Sequence, residues 1–152
     1  MMFDDFFGPA IIDIDEWRDK PIKHRFIHGS FKNTHTRFIL CFPESKNYGG
    51  RFIQHLQGGL GGNEYTGYYA GGLYLARRNN SYYVESNQGH FGDLRVLRDR
   101  PSVFDWEASA ATALFGREFA KEVRFFNRVG GYSSTNVIDS IANKYINAGG
   151  YL

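Results

Sequence analysis

The run Arg51-Phe52-Ile53-Gln54-His55-Leu56 passes straight into Gln57-Gly58-Gly59-Leu60-Gly61-Gly62, and this junction constrains the fold more than any other feature of the chain. A strand that empties into consecutive glycines lets bare backbone N–H groups approach a ligand closely, because glycine has no Cβ and tolerates positive φ. Such a junction makes a phosphate cradle, an oxyanion hole or a flexible turn that binds nothing. The phosphate patterns fit poorly, since the loop is neither G-x-x-x-x-G-K-[ST] nor G-x-G-x-x-G with a ribose-binding acid. An oxyanion loop fits better: a backbone N–H here would sit at the carboxyl edge of a parallel sheet. The plain turn stands beside it as the other reading.

The surrounding pattern tells what such a loop is mounted on. Residues 1–22 mix acids with apolar residues, broken by Gly8-Pro9 and Lys20-Pro21, and read as an arm with a short turn near Asp15-Glu16-Trp17. Two strands follow, over roughly His24–Phe31 and Thr36–Phe42, joined by Lys32-Asn33-Thr34-His35. Phe38, Leu40 and Phe42 alternate on one face of the second. After the Arg51–Gln57 strand, Asn63 is placed to cap a helix running to about Arg78, although Gly67, Gly71 and Gly72 weaken it. Ser81–Ser86 is a strand ending in the turn Asn87-Gln88-Gly89-His90.

A capping box at Ser102-Val103-Phe104-Asp105 opens an Ala-rich helix through about Val123, with Trp106, Ala110, Ala113, Leu114 and Arg117 on one stripe. Val123–Val129 reads as a further strand, and 135–147 as a last helix. The order predicts an α/β fold in which an antiparallel hairpin feeds parallel β-α-β-α units, with 1–22 as an arm and 23–152 as one domain.

Charge excludes some partners. Lys and Arg number 18 against 16 Asp and Glu, which makes no general case for nucleic acid or an acidic membrane. Cys41 is the only cysteine, so no intrachain disulfide forms, and its strand-like setting predicts a buried, inert thiol. The acidic N-terminus lacks a signal peptide's basic region, and no apolar run reaches the ~18–20 residues a bilayer needs. A soluble chain, cytoplasmic by default, is the expectation.

The hairpin followed by Tyr48-Gly49-Gly50-Arg51-Phe52-Ile53-Gln54-His55 and a glycine loop resembles the N-terminal half of an α/β-hydrolase, as does Tyr82-Tyr83-Val84-Glu85-Ser86-Asn87-Gln88-Gly89-His90. The tannase and feruloyl-esterase-like hydrolases are the nearest group, and the resemblance covers roughly residues 24–123. It implies a three-layer hydrolase-like fold acting by serine acyl transfer, with Gly58 and Gly59 supplying oxyanion N–H donors and no cofactor. The family's elbow, Gly-x-Ser-x-Gly, has its best match at Gly131-Tyr132-Ser133-Ser134-Thr135, where threonine replaces the second glycine. Ser133 is therefore the candidate nucleophile, and Ser133-Ser134-Thr135 also reads as an N-cap cluster for the last helix.

The family order of serine, then acid, then histidine is not completed: Asp139 follows Ser133, but the last histidine is His90. The expectation is a fragment or a catalytically incomplete member, interrupted near Glu122. His55, Tyr65 and His90 are candidate pocket residues. His24 and His28, four apart on a strand, are spaced too far for easy chelation, and no metal is assigned. Arg95, Arg98 and Arg100, interleaved with Asp93 and Asp99, read as a solvated face. Tyr65, Tyr68, Tyr69 and Tyr74 offer either core packing or a platform for a sugar or phenolic ring. The expected ligand is thus a small ester, with a carbohydrate- or aromatic-binding module as the alternative. An exposed sheet edge after Val129 predicts dimerisation.

Overall fold

Alternating apolar residues build one mixed sheet, seen in a computed structural model that describes residues 6–57, 61–92 and 106–129, the last six of these as backbone alone. The strands are β1 (Ala10–Arg18), β2 (His24–Phe31), β3 (Arg37–Phe42), β4 (Arg51–His55) and β5 (Ser81–Ser86). Their spatial order is β1-β2-β3-β5-β4. The first three form an antiparallel meander, β5 runs antiparallel to β3, and β4 lies parallel to β5 on its far side. Among the described residues two α-helices complete the α/β fold: α1 (Leu73–Arg78) connects β4 to β5, and α2 (Ala108–Val129) follows β5.

Each helix covers a different face. Phe115, Phe119, Ala111 and Val123 of α2 pack on Ile27, Phe38, Leu40, Phe42, Tyr82 and Val84. Burying a phenylalanine fully, as at Phe115 and Phe119, contributes roughly 1.5–3 kcal/mol. On the opposite face, Tyr68, Leu73 and Ala76 cover Phe26, Ile39, Cys41 and Tyr83. Burial pushes the Cys41 thiol well above its usual range, which leaves it unreactive. Because both faces are covered, every residue of β5 is buried.

Four strands lie where the alternation puts them, but four other readings change. Residues 10–18 are an edge strand of the same sheet rather than part of an arm, so the hairpin is a three-stranded meander. Its acids are held by β2: Arg25 donates to both Asp15 oxygens at 2.6 and 2.5 Å, with both side chains buried. The register shifts between Ile12 and Ile14 at a bulge, which sends Ile12 toward the α2 core and Ile14 toward the α1 core.

Val123–Val129 is the last part of α2, not a strand. Extending a formed helix by a turn needs no new nucleus, which outweighs the β preference of Val and Phe. Among the described residues the edges of the sheet are consequently β1 and β4, and the edge beside the parallel pair is β4. The buried stripe of α2 is also rotated: Trp106 and Arg117 are exposed, while Ala108, Thr112, Phe115 and Phe119 face the sheet. The capping box and the 135–147 helix lie outside the described residues.

The segment before β5 is a broken helix. Helical turns begin at Thr66, pass through a π-helical turn over Tyr68–Gly72 and become α1 only at Leu73. Gly71 sits at the break with φ of 97°. Asn63 still shapes the entry, since its Oδ1 accepts from the Tyr65 N–H and the Thr66 hydroxyl.

Candidate functional site

The connections leaving the two parallel strands part company. The chain from β4 goes to α1 on one face, and the chain from β5 goes to α2 on the other. In an open α/β sheet this divergence leaves a crevice beyond the carboxyl ends of the strands, where ligands bind. Residues 61–64, which follow the glycine run, and the Asn87–His90 turn after β5 lie together beyond that end of the sheet.

The floor beneath these loops is a row of residues that the pairing sets side by side on the α1 face: His55, Glu85, Ile39, His28 and Ile14, one from each strand. Glu85 is fully buried. Its carboxylate accepts the backbone N–H groups of Gly67 and Tyr68 at 2.9 and 3.0 Å and the Tyr83 hydroxyl at 2.7 Å. It therefore caps the helical segment from outside the segment's own sequence, satisfying donors that every helix start leaves open. Gln57 adds a fourth donor at 3.0 Å. Burial, then the Glu85 carboxylate, raise the Tyr83 phenol far above its ordinary value, so it stays a donor.

A second ionic cluster stands two strands away. His28 is hydrogen-bonded to two carboxylates, its Nε2 2.9 Å from Glu64 Oε1 and its Nδ1 2.6 Å from Asp13 Oδ1. Arg37 Nε lies 3.5 Å from the same Glu64 oxygen. Glu64 is buried, and its Oε2 has no hydrogen-bond partner among the described residues. The bond to Glu64 raises the His28 pKa, desolvation opposes it, and Asp13 adds to the rise. Tyr65 stacks on the His28 ring with planes 3° apart, and on Phe26 at 11°.

His24, on the same face of β2, is of the opposite kind. Desolvation lowers its pKa against a raising hydrogen bond to Ile22, with Arg18 lowering it further. In the neutral ring Nδ1 donates to the Ile22 carbonyl at 2.7 Å, and Nε2 accepts from the Tyr68 hydroxyl at 3.2 Å.

The two loops are laced together. Gly62 donates to the Asn87 carbonyl at 3.3 Å, and Gly92 donates to the Gly62 carbonyl at 3.2 Å. Gln88 Nε2 donates to the Gln57 carbonyl at 3.1 Å. Gly62 has φ of 96°, and a Cβ there would stand 2.5 Å from the Gly92 nitrogen, so only glycine fits. A Cβ at Gly67 would stand 2.5 Å from the His55 ring and run into the Tyr83 hydroxyl.

Of the residues singled out from sequence, His55 is half-buried in the floor row, Tyr65 lies over His28, and His90 is buried at the end of the β5 turn. Gly58, Gly59 and Ser133 lie outside the described residues. Sequence reasoning missed Glu85, Glu64 and Asp13. The available signal was the acids of 10–18 set against the basic residues of β2, together with one acid inside an otherwise apolar β5. No group of three His, Cys, Asp or Glu among the described residues is placed to hold a metal. No helix among them is long and apolar enough to cross a membrane. A separate groove of about 240 Å³, lined by Trp17, Arg25, Phe42, Pro43, Glu44 and Val123, opens at the opposite end of the sheet.

Compared with known proteins, the chain matches no family model, no curated protein and no solved structure. The functional reading therefore rests on the diverging strand exits and on the residues gathered beside them.

Proposed function

We propose that this chain is an α/β-hydrolase-like domain of an ester-hydrolysing lineage, binding a small ester in the crevice beyond β4 and β5. One observation carries the reading: β4 ends in a glycine loop at the carboxyl end of a parallel pair whose exits diverge to opposite faces. In this role Gly58 and Gly59 donate backbone N–H groups to the carbonyl oxygen as charge develops on it. Ser133 is the nucleophile candidate, attacking the ester carbonyl and releasing the alcohol to leave an acyl-serine. No histidine follows Ser133 in these 152 residues, so a base would come from His55 or His90, against the family order.

An activity-based fluorophosphonate tests this. Labelling that Ser133→Ala abolishes is the expected result. Absent labelling, or labelling indifferent to that substitution, removes Ser133 from the mechanism.

A binding module is favoured by a different observation. Tyr65 and Tyr69 have ring centres 6.0 Å apart beside the crevice, and Tyr69 is 79% exposed. Such a ledge suits a sugar or phenolic ring. Retained binding of a phenolic glycoside by Ser133→Ala, lost in Tyr69→Ala, supports this second reading. The proposed dimer uses the outer edge of β4, where Phe52 and Leu56 are exposed. A monomer by light scattering at high concentration rejects it.

A further inference from the structure

We propose that protonated His28 is a positioning residue that clamps the 61–64 limb of the glycine loop and thereby sets its distance from the β5 loop. The inference deepens the proposed ligand crevice and rests on that reading for its consequence, while the clamp itself is tested without any ligand.

The geometry requires two donors. His28 stands between carboxylates of two different elements, Asp13 of β1 and Glu64 of the loop, at 2.6 and 2.9 Å. An imidazolium has an N–H for each, whereas a neutral ring has one N–H and must turn a lone pair toward the other carboxylate. The two acids do not lose equally. The Asp13 side chain is 58% exposed and water can replace its partner, but that of Glu64 is 2% exposed. Glu64 Oε2 has no hydrogen-bond partner among the described residues, and Arg37 reaches only Oε1, at 3.5 Å.

With the ring neutral, its one N–H stays on Glu64 and its lone pair turns to the exposed Asp13. The buried carboxylate then keeps a hydrogen bond but loses the adjacent positive charge, and with Arg37 at 3.5 Å as its remaining cation it is drawn toward water. Among the described residues, the titratable or charged groups that face His28 are Asp13, Glu64, Arg37 and the stacked Tyr65. Ile14 and Ile39 beside it in the row are apolar.

Movement of Glu64 is transmitted through Gly62, two residues before it. Gly62 carries both bonds that tie the limb to the β5 loop, to the Asn87 carbonyl and from the Gly92 N–H. Arg37 reinforces the far side: its N–H donates to Asn87 Oδ1 at 2.9 Å and its carbonyl accepts from the Asn87 N–H at 3.0 Å. The clamp thus links a protonation on β2 to the width of the crevice mouth.

NMR titration of the intact protein from pH 5 to 9 tests this, reading the His28 ring and the backbone amides of Gly61, Gly62, Asn87 and Gly92. The expected result is a His28 midpoint above the ordinary value, with the loop amides shifting at that same midpoint. In Glu64→Gln the His28 midpoint falls by about one pH unit, and the loop amides no longer titrate with it. His28→Gln, with one donor and no charge, abolishes the loop transition. If His28→Gln fails to fold, Glu64→Gln carries the test alone. Loop amides that stay still while His28 titrates, or that follow His55 or His90 instead, overturn the proposal. Failure of fluorophosphonate labelling leaves it standing, because neither readout involves Ser133.

Discussion

Glu85 holds Gly67 by its backbone N–H at 2.9 Å, and this bond begins a helical segment with an acid that comes from the neighbouring strand. Hydrogen bonds to a buried charge are worth about 1.5–3 kcal/mol each, and Glu85 accepts from Gly67, Tyr68 and Tyr83. Glu85→Ala is expected to cost at least about 3 kcal/mol and Tyr83→Phe about 1.5 kcal/mol. Urea unfolding midpoints at an unchanged slope measure both. Equal, small losses would mean that the caps are made elsewhere.

Glycine substitutions separate propensity from packing. By propensity alone, Gly67→Ala stabilises a helix by about 1 kcal/mol. Its Cβ, however, would meet His55 and Tyr83, so the expected sign is the reverse, a loss of about 1–3 kcal/mol. Gly71→Ala meets nothing within 4 Å and suffers only its positive φ, a cost of about 1–2 kcal/mol. Thermal melts of the two variants check the order.

Arg25 and Asp15 form a buried pair at the far end of the sheet, with side chains 3% and 8% exposed. Replacing either partner alone, as in Arg25→Met or Asp15→Leu, is expected to cost about 3–5 kcal/mol, while the double replacement recovers most of it. A double-mutant cycle reads this coupling, and additive losses would contradict it.

The two histidines of β2 pull stability in opposite directions with pH. His28 has a raised pKa, so the folded state holds more protons than the unfolded above the ordinary imidazole value of about 6.5. Its contribution is complete below about 6.5 and is lost as pH rises through the folded pKa. His24 has a lowered pKa, so its contribution is complete above about 6.5 and falls as the unfolded ring protonates below it. His28→Gln should flatten the alkaline limb of the stability profile and His24→Gln the acidic limb. Denaturation midpoints across pH 5 to 9 check both limbs, and an unchanged profile in either variant would contradict its assignment.

The sheet was legible wherever a strand has a simple two-residue rhythm. Phe38, Leu40 and Phe42 alternate as written, and all three meet α2. β1 was not legible, because its acids resemble a solvated arm until Arg25 and His28 are known to lie opposite them. The face of α2 was misjudged because alanine fits either side of a helix, whereas Phe115 and Phe119 decide which side turns inward. Glu85 and Glu64 escaped notice because an isolated acid carries no periodic signal, and its meaning depends on donors supplied by distant segments.

Adjacent residues of β5 answer to different helices: Tyr82 and Val84 turn to α2, while Tyr83 and Glu85 turn to the start of the α1 segment. A slip of one residue in this strand would carry Glu85 among the phenylalanines and leave the helical start facing Val84 or Ser86. Hydrophobic content alone would resist that slip weakly, since both faces of the strand are apolar over most of their length. The single carboxylate makes the wrong alignment electrostatically forbidden. One buried acid thus acts as the registration mark by which β5 finds its place between β3 and β4.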